Sequence, residues 1–335
     1  MGKTNGNIEI ARALIDKYIE IAIKNNTGYS KRFLASVLFS ENPDKFKDVE
    51  DARVSIRRAL NSIGKINRKS VNLSSRFALM STSVDELTLP SPFIIPSVCK
   101  STLAIADLHS KFCDKKALST AIEFGLKKGC DSVIIDGDFM DFYGFSRFDK
   151  NPMVLDGFYT EQEWGVDVLQ LLQECFGRVY LKKGNHDIRR QQNVEKMSIQ
   201  FPELFGLASY ERYLDFEGSK IQFIEDYNHI VYGKLNIIHG HEYQGGGGVH
   251  VAYNRLGKTM DNTLSAHSHK AQSVIKTNIN ENIIGSWALG CLCNLHPRYN
   301  PKNDWTQGFA ILEKDSTGEF EVKNRLIFGD KTFPA

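Results

Sequence analysis

The chain has 335 residues, of which 41% are hydrophobic and 24% charged, and its formal net charge at pH 7 is +2. A chain of this length can bury a substantial core and is expected to form two domains. No stretch approaches the roughly 18–20 apolar residues of a membrane helix, and the N-terminus has no apolar signal segment, so the pattern excludes a membrane protein and predicts a soluble, cytoplasmic one.

The first predicted elements are three helices within residues 1–70, a basic segment. Residues 1–75 contain 14 Lys and Arg against 8 Asp and Glu, a net charge of +6, whereas the remaining residues contain 28 against 32, a net charge of −4. Apolar residues recur at helical spacing from Ile8 to Ala22, from Lys31 to Phe39 and from Asp48 to Ile63. A basic domain attached to a mildly acidic one suggests an anionic partner.

The third predicted helix carries Arg53, Arg57 and Arg58. Three short helices with a basic last one resemble a helix-turn-helix module, whose third helix would enter the major groove of DNA. The connection Ser40–Lys47 is longer than the usual turn of about 3–4 residues. Two interpretations of residues 1–70 therefore stay open: a DNA-binding domain with the three arginines as DNA contacts, or a helical domain for docking or oligomerisation.

Residues 71–98 are interpreted as a linker, because the segment is rich in Ser, Thr and Pro. Residues 99–332 have the pattern of an α/β domain, in which short apolar runs alternate with helical stretches. The helical stretches are Lys115–Lys128 and Glu161–Phe176. Later strand-like runs near 283–292, 308–313 and 319–328 would complete a second sheet.

Polar side chains follow four of the predicted strands at the point where each strand ends. The strands run from Ser101 to Asp107, Ser132 to Asp138, Arg178 to Asn185 and Lys234 to His239. In open α/β sheets the site forms beyond the carboxyl ends of the strands. The four strand ends are therefore expected to face one site.

These strand ends belong to five short motifs with only oxygen and imidazole donors. The motifs are Asp107-x-His109, Gly137-Asp138, Gly184-Asn185-His186-Asp187, His239 and His267-x-His269. Any one of these residues has an ordinary structural explanation, such as a helix N-cap or a left-handed turn. Together they can hold two metal ions side by side, an arrangement that proteins use to cleave phosphate esters.

This ordered set of motifs resembles the calcineurin-like metallophosphoesterase family over roughly residues 100–330. One position departs from the family pattern, because Ala266 stands where the family usually has glycine. The small helical domain in front resembles the phage and bacterial members. The resemblance implies a layered αββα sandwich over 99–332 after a small all-α domain, in the cytoplasm of a bacterium or a phage-infected host.

The resemblance also implies two divalent ions, which Asp138 would bridge. One ion would be held by Asp107, His109, Asp138 and His269, and the other by Asp138, Asn185, His239 and His267. No cysteine is among these ligands, and the donor set suits Mn²⁺, the expected ion, as well as Fe, Zn or Co. A hydroxide bridging the ions would attack phosphorus.

His186 and Asp187 are implied as the catalytic pair, in which His186 serves the leaving group and Asp187 holds its ring protonated. Tyr143, Arg147 and His241 are further candidates for substrate contact. The expected function is a phosphodiesterase or nuclease acting on nucleic acid, with DNA as the candidate partner. The alternatives are a phosphomonoesterase acting on nucleotides or phosphoproteins, and a non-catalytic DNA-binding protein that kept the fold. The pattern leaves the oligomeric state open.

Overall fold

A computed structural model describes residues 2–25, 28–63, 90–146, 158–214, 221–243, 248–297 and 300–335. The chain divides into two compact units, residues 1–89 and 90–335. Among the helices in these ranges, none is both long and apolar enough to cross a lipid bilayer.

The first unit contains three helices, as the apolar spacing predicts. They are α1 Gly2–Asn25, α2 Lys31–Glu41 and α3 Val49–Ile63. Their shared core includes the fully buried side chains of Ile15, Leu34, Leu38 and Ile56. Ser30 caps α2, because its hydroxyl oxygen accepts a hydrogen bond from the Phe33 N–H at 3.0 Å.

The basic residues of α3 differ in their surroundings. The Arg53 guanidinium lies 2.9 Å from the Glu50 carboxylate, one turn earlier on the helix, so its charge is partly neutralised. Arg57 and Arg58 are exposed. Residues 42–48 connect α2 to α3, which is longer than the turn of a helix-turn-helix module. DNA binding by this unit stays a prediction.

The second unit is built on two sheets. Its strands are β1 Phe93–Ile94, β2 Ser101–Ile105, β3 Ser132–Asp136, β4 Val179–Lys182, β5 Ile221–Ile224, β6 Ile230–Tyr232, β7 Leu235–Ile238, β8 Thr263–Ser265, β9 Gln272–Thr277, β10 Ile283–Ala288, β11 Gln307–Lys314, β12 Phe320–Phe328 and β13 Lys331–Pro334. The strand order is β13-β12-β11-β2-β3-β4-β5 in one sheet and β1-β6-β7-β8-β10-β9 in the other. Strands β2 to β5 are parallel, whereas β11 pairs antiparallel with β2.

Helices cover the outer faces of the two sheets. They are α4 Lys115–Lys127, α5 Phe158–Phe176, α6 Ile188–Ser198, α7 Tyr210–Tyr213 and α8 Val251–Thr259, with 3-10 turns at Ser110–Phe112, Tyr143–Phe145 and Pro202–Leu207. Leu103 and Ile105 of β2 pack in the core under α4 and α5, while Ala104 between them packs in the core between the sheets. Val251 of α8 packs on Ala288 of β10. The layers are therefore helix, sheet, sheet, helix, which confirms the predicted αββα sandwich.

The strands end earlier than the apolar runs predict. Strand β2 stops at Ile105 and β3 at Asp136, two residues before the predicted ends. The reason is the backbone of the residues that follow, since Asp107 and Asp138 have φ of 53° and 51°, which is incompatible with an extended strand. The polar residues therefore occupy turns that leave the strands.

The predicted linker over 71–98 lies outside the described residues as far as Leu89. From Pro90 onward the chain belongs to the second unit, where Phe93–Ile94 pairs with β6. The predicted domain limits stay a prediction.

The start of α4 provides a test of how the helix is fixed above the first sheet. Asp114 Oδ1 accepts hydrogen bonds from the Lys116 and Ala117 N–H groups at 3.0 and 3.2 Å, and Oδ2 accepts one from Gln307 at 2.8 Å. Asp114→Ala should lower the free energy of unfolding by about 1 kcal/mol, because the cap is lost. Asp114→Asn keeps the capping oxygen and loses only the acceptor for Gln307, so it should be less destabilised than Asp114→Ala in urea unfolding. Equal losses in both variants would contradict this role.

Candidate metal centre

The side chains that follow β2, β3, β7 and β8 converge on one small volume. His109 Nε2 lies 3.2 Å from His269 Nε2, although 160 residues separate them in the chain. His269 Nε2 lies 3.4 Å from Asp107 Oδ1, and His239 Nε2 lies 3.2 Å from Asp138 Oδ2. Residues from both sheets therefore meet at separations suited to binding a shared cation.

The backbone around this volume is unusual. Nine non-glycine residues of the described chain have left-handed φ values. Five of them are predicted ligands: Asp107, His109, Asp138, His267 and His269. Such a conformation costs about 1 kcal/mol per residue, and strain of this kind clusters at functional sites.

Each of the two carboxylates has one oxygen fixed by the backbone and one directed to the shared volume. Asp107 Oδ2 accepts a hydrogen bond from the His267 N–H at 3.0 Å, and Asp138 Oδ1 accepts one from the His186 N–H at 2.8 Å. Asp138 Oδ2 lies 3.2 Å from His239 Nε2 and 3.9 Å from His109 Nε2. Asp138 thus stands between the two groups of imidazoles.

The histidine rings are held by their outer nitrogens. His239 Nδ1 lies 2.6 Å from the Asp136 carbonyl oxygen, which can only accept, so this nitrogen carries the proton. His109 Nδ1 similarly lies 2.9 Å from Asp141 Oδ1. In the neutral form of each ring the lone pair is therefore on Nε2, the nitrogen that faces the shared volume, as in histidine ligands of metals.

Several atoms that face the shared volume have no hydrogen-bond partner within the described chain. Asp107 Oδ1, Asn185 Oδ1 and His239 Nε2 are buried and make no hydrogen bond. Leaving such atoms unpaired costs free energy unless something binds them. Candidate ligand clusters form from Asp138, His239 and His267 and from His109, Asp138 and His186. The donor set fits divalent metal ions.

One cluster includes a residue that sequence reasoning left out. Cys293 groups with His109 and His269, and its Sγ lies 3.8 Å from His269 Nδ1. Because this is the outer nitrogen of the ring, the thiol is placed to orient His269.

The buried carboxylates and histidines of the centre shift one another's pKa values. Burial alone would lower the pKa of His239, but Asp138 and Asp107 outweigh it and raise the pKa well above its ordinary value. Burial also opposes the charged form of His269, yet Asp107 raises its pKa to about 10. Burial would raise the pKa of Asp138, but His186 and His239 hold it well below its usual range. The two carboxylates thus require positive charge beside them, which a bound cation also supplies.

Two motif glycines are explained by close approach. A Cβ on Gly137 would lie 2.3 Å from His239 Nδ1, and a Cβ on Gly184 would lie 2.3 Å from Asp138 Oδ1. Either position therefore excludes any side chain if the neighbouring ligand keeps its place.

The predicted role of Asp187 is wrong, because its carboxylate does not hold the His186 ring. It accepts hydrogen bonds from the Gly184 N–H at 2.7 Å, the Met140 N–H at 2.8 Å and the Tyr210 hydroxyl at 2.7 Å. Asp187 therefore joins the loops that follow β3 and β4.

Asp141 takes the position expected of Asp187. Its Oδ1 lies 2.8 Å from His186 Nδ1 and 2.9 Å from His109 Nδ1. On the other side of the His186 ring, Arg189 Nη2 donates to Nε2 at 2.8 Å. Since Arg only donates, this contact suits the ring form that has its proton on Nδ1 and a lone pair on Nε2. The sequence signal that could have found Asp141 is its place three residues after Asp138 in the same turn.

The three predicted substrate contacts have different outcomes. Tyr143 is half-buried, with Lys111 Nζ 5.1 Å from its ring. His241 has its ring centroid 6.3 Å from that of His267, and neither of its ring nitrogens makes a hydrogen bond to the described residues. Arg147 lies outside the described residues.

Comparison with known proteins gives the family. A model of the calcineurin-like phosphoesterase family matches residues 100–280, more than half of the chain. The protein is therefore a member of the calcineurin-like phosphoesterase family.

Relatives come from bacteriophages. The chain is 25% identical over 254 residues to the Gene 54 protein of Mycobacterium phage L5, and 25% identical over 249 residues to the Gene 54 protein of Mycobacterium phage D29. Each match covers 68% of this chain and 93% of the relative.

Among solved structures, a single mutant of Vps29 from Entamoeba histolytica is 14% identical, with a TM-score of 0.38 over 70% of this chain and 96% of that one. Yfce, a phosphoesterase from E. coli, is 15% identical, with a TM-score of 0.33 over 64% of this chain and 89% of that one.

Glu161 of α5 provides a test of how the Asp141 loop is held. Its Oε1 accepts hydrogen bonds from the Phe142 N–H at 2.8 Å, the Asp141 N–H at 3.0 Å and the Ser110 hydroxyl. Glu161→Ala leaves these donors without their partner, which should lower the free energy of unfolding by about 1–3 kcal/mol and weaken metal binding in calorimetry. Glu163→Ala, an exposed position of the same helix, should change stability by less than about 0.5 kcal/mol. If Glu161→Ala were as stable as the wild type, Glu161 would not hold the Asp141 loop.

His267 allows the left-handed strain to be measured, since its φ is 66° and its side chain is exposed. Both His267→Gly and His267→Ala remove the imidazole, but only glycine adopts this conformation without strain. In metal-free protein the glycine variant should therefore be about 1 kcal/mol more stable than the alanine variant in urea unfolding. Equal stability of the two variants would show that the position is not strained.

Proposed function

We propose that this protein is a two-metal phosphodiesterase that hydrolyses nucleic acid. The observation that carries the proposal is a set of buried atoms that make no hydrogen bond to the described residues: Asp107 Oδ1, Asn185 Oδ1 and His239 Nε2. Membership of a phosphoesterase family supports the reaction class.

The proposed ligands divide into two sets that share Asp138. Asp107, His109, Asp138 and His269 would hold one ion, and Asp138, Asn185, His239 and His267 the other. Bound ions would lower the pKa of a coordinated water and neutralise the phosphate oxygens on which charge develops. Oxygen and imidazole donors accommodate Mn²⁺, which we propose as the working metal, and also Fe, Zn or Co.

His186 is proposed to serve the leaving oxygen of the substrate. Its Nε2 lies 3.9 Å from Asp138 Oδ2, so the ring stands at the edge of the centre. A phosphate group would compete with this nitrogen for the Arg189 guanidinium, because Arg forms stronger, charge-assisted bonds with phosphate. His186 Nε2 could then hold a proton toward the leaving oxygen, while Asp141 at Nδ1 stabilises the charged ring.

Nucleic acid is proposed as the substrate partly because of charge in the first unit. Residues 1–75 have a net charge of +6, and Arg57 and Arg58 are exposed on α3. Exposed arginines on a basic helix are suited to phosphate contacts, which supply most of the affinity of non-specific binding.

The test is metal-dependent hydrolysis of bis-p-nitrophenyl phosphate against p-nitrophenyl phosphate in Mn²⁺. We expect the diester to be preferred. His186→Ala should lower kcat by about 10²–10⁴ with metal content retained, because one acid–base group is lost. Asp138→Asn should lower kcat further and reduce the bound metal measured by elemental analysis, since both ion sites depend on this carboxylate.

Asp167→Asn, which makes the same chemical change at an exposed position of α5, is the matched control and should keep wild-type activity. A preference for the monoester would favour the phosphomonoesterase alternative. Absence of hydrolysis of any phosphoester by the metal-loaded wild type would favour a binding protein instead.

A further inference from the structure

A cavity of about 680 Å³ lies beside the centre, on the side of His267 and Ser268. Its other walls come from the segment after β7 (Gly240, His241 and Tyr243), from α8, and from Asn300 and residues 302–305. The volume lies within the range of about 300–1,000 Å³ that is typical of small-molecule sites. Because His267 belongs both to this wall and to the cluster with Asp138 and His239, the cavity opens onto the centre.

The wall of the cavity is positively charged. Lys270 and Lys302 line it, and Lys302 is exposed. Of the described lining residues, the one carboxylate is Asp304, which lies 2.6 Å from Lys270 Nζ. Lys270 also donates to the Gly248 carbonyl oxygen at 2.9 Å, so it spans two walls. Because Asp304 offsets only one of the two lysines, the cavity wall keeps a net positive charge. This charge favours the binding of an anion in the cavity, away from the metal ligands.

A third cation, Arg255 of α8, lies within the wall and is 2% exposed. Its Nη2 donates to the Gly240 carbonyl oxygen at 2.9 Å, whereas Nε and Nη1 have no hydrogen-bond partner in the described chain. Buried N–H groups of a guanidinium that lack hydrogen bonds are unfavourable by themselves, and Arg255 Cζ lies 5.5 Å from the centroid of the Tyr243 ring. Because the Arg255 side chain is buried, it attracts an anion in the cavity through its positive electrostatic potential rather than through direct contact.

Two aromatic side chains share the cavity with these cations. Tyr243 is 39% exposed. Trp305 is half-buried, and its ring centroid lies 4.2 Å from that of His269, so it connects the cavity to the centre. Aromatic faces among cations are the combination with which proteins bind single-stranded nucleic acid, where bases stack and phosphates pair with the cations. A phosphorylated serine side chain offers neither a flat ring nor a second phosphate.

We propose that this cavity binds the nucleotide next to the scissile phosphate. Its base lies against Tyr243 and Trp305, and its own phosphate faces Lys270 and Lys302 over the buried charge of Arg255. The inference rests on the proposed hydrolysis and narrows the substrate to a nucleic-acid strand with at least two phosphates.

The test compares two double variants of the full chain. Tyr243→Ala/Lys302→Ala removes an aromatic ring and an ammonium group from the cavity. Tyr253→Ala/Lys276→Ala removes the same two groups from an exposed pair outside it, in which Lys276 Nζ lies 3.9 Å from the Tyr253 ring. The ratio of kcat/KM for a single-stranded trinucleotide to that for bis-p-nitrophenyl phosphate should fall about tenfold in the cavity variant, mainly through KM, and stay unchanged in the control.

A binding measurement separates this inference from the proposed function. In EDTA, calorimetry with thymidine 3′,5′-bisphosphate and 2-deoxyribose 5-phosphate should show about tenfold tighter binding of the bisphosphate by the wild type and the control, and loss of that difference in the cavity variant. If the wild type hydrolyses neither substrate, the proposed function fails. The calorimetry still shows whether the cavity binds a nucleotide. Equal affinity of the wild type for the two ligands overturns the inference. So does a kcat/KM ratio that is unchanged in the cavity variant. Faster hydrolysis of a phosphoserine peptide than of the trinucleotide also overturns it.

Discussion

Asp107 and Asp138 place two carboxylates within one almost completely buried volume, and the arrangement around them is determined by that constraint. Burial without compensation would be prohibitive for two like charges. The chain compensates by turning the Nε2 atoms of His109, His239 and His269 toward the carboxylates and by fixing the second oxygen of each carboxylate with a backbone N–H. The left-handed turns after the strands bring these groups close enough to interact, and their conformational strain is tolerated for that reason.

A second set of carboxylates holds the first in place. Asp187, Asp141 and Glu161 each accept hydrogen bonds from groups in neighbouring loops, so each joins segments that are separate in the chain. Glu161 fixes the backbone of Asp141, and Asp141 in turn fixes two histidine rings. Orientation at the centre therefore depends on α5, an element with no residue in the five motifs.

Local patterns predicted the features that are themselves local. Apolar runs indicate β2, β3, β4 and β7, and the motifs indicate which side chains follow them. The partner of His186 was not predictable in this way, because the direction of the Asp187 side chain depends on the Met140 N–H and the Tyr210 hydroxyl, which only the folded chain brings near.

The cavity was not predictable for a related reason. Its walls come from segments that are far apart in the chain, namely the segment after β7, α8, and the segment that precedes β11, and only the folded chain brings them together. Lys302 and Trp305 have no periodicity or motif that would set them apart in the sequence.

The exposure of Arg57 and Arg58 on α3 follows from helical spacing, whereas the pairing of Arg53 with Glu50 requires a particular rotamer.

The position of β11 beside β2 has a consequence for biosynthesis. Strand β2 lies in the interior of its sheet, between β3 and a strand that begins at Gln307, about 200 residues later. A ribosome must therefore synthesise about 200 further residues after β2 before the hydrogen-bond ladder between β2 and β11 can form, and pairing across such a span is intrinsically slow. Until then the nascent chain exposes an open strand edge, which makes the interval between translation and closure the period of greatest risk of aggregation.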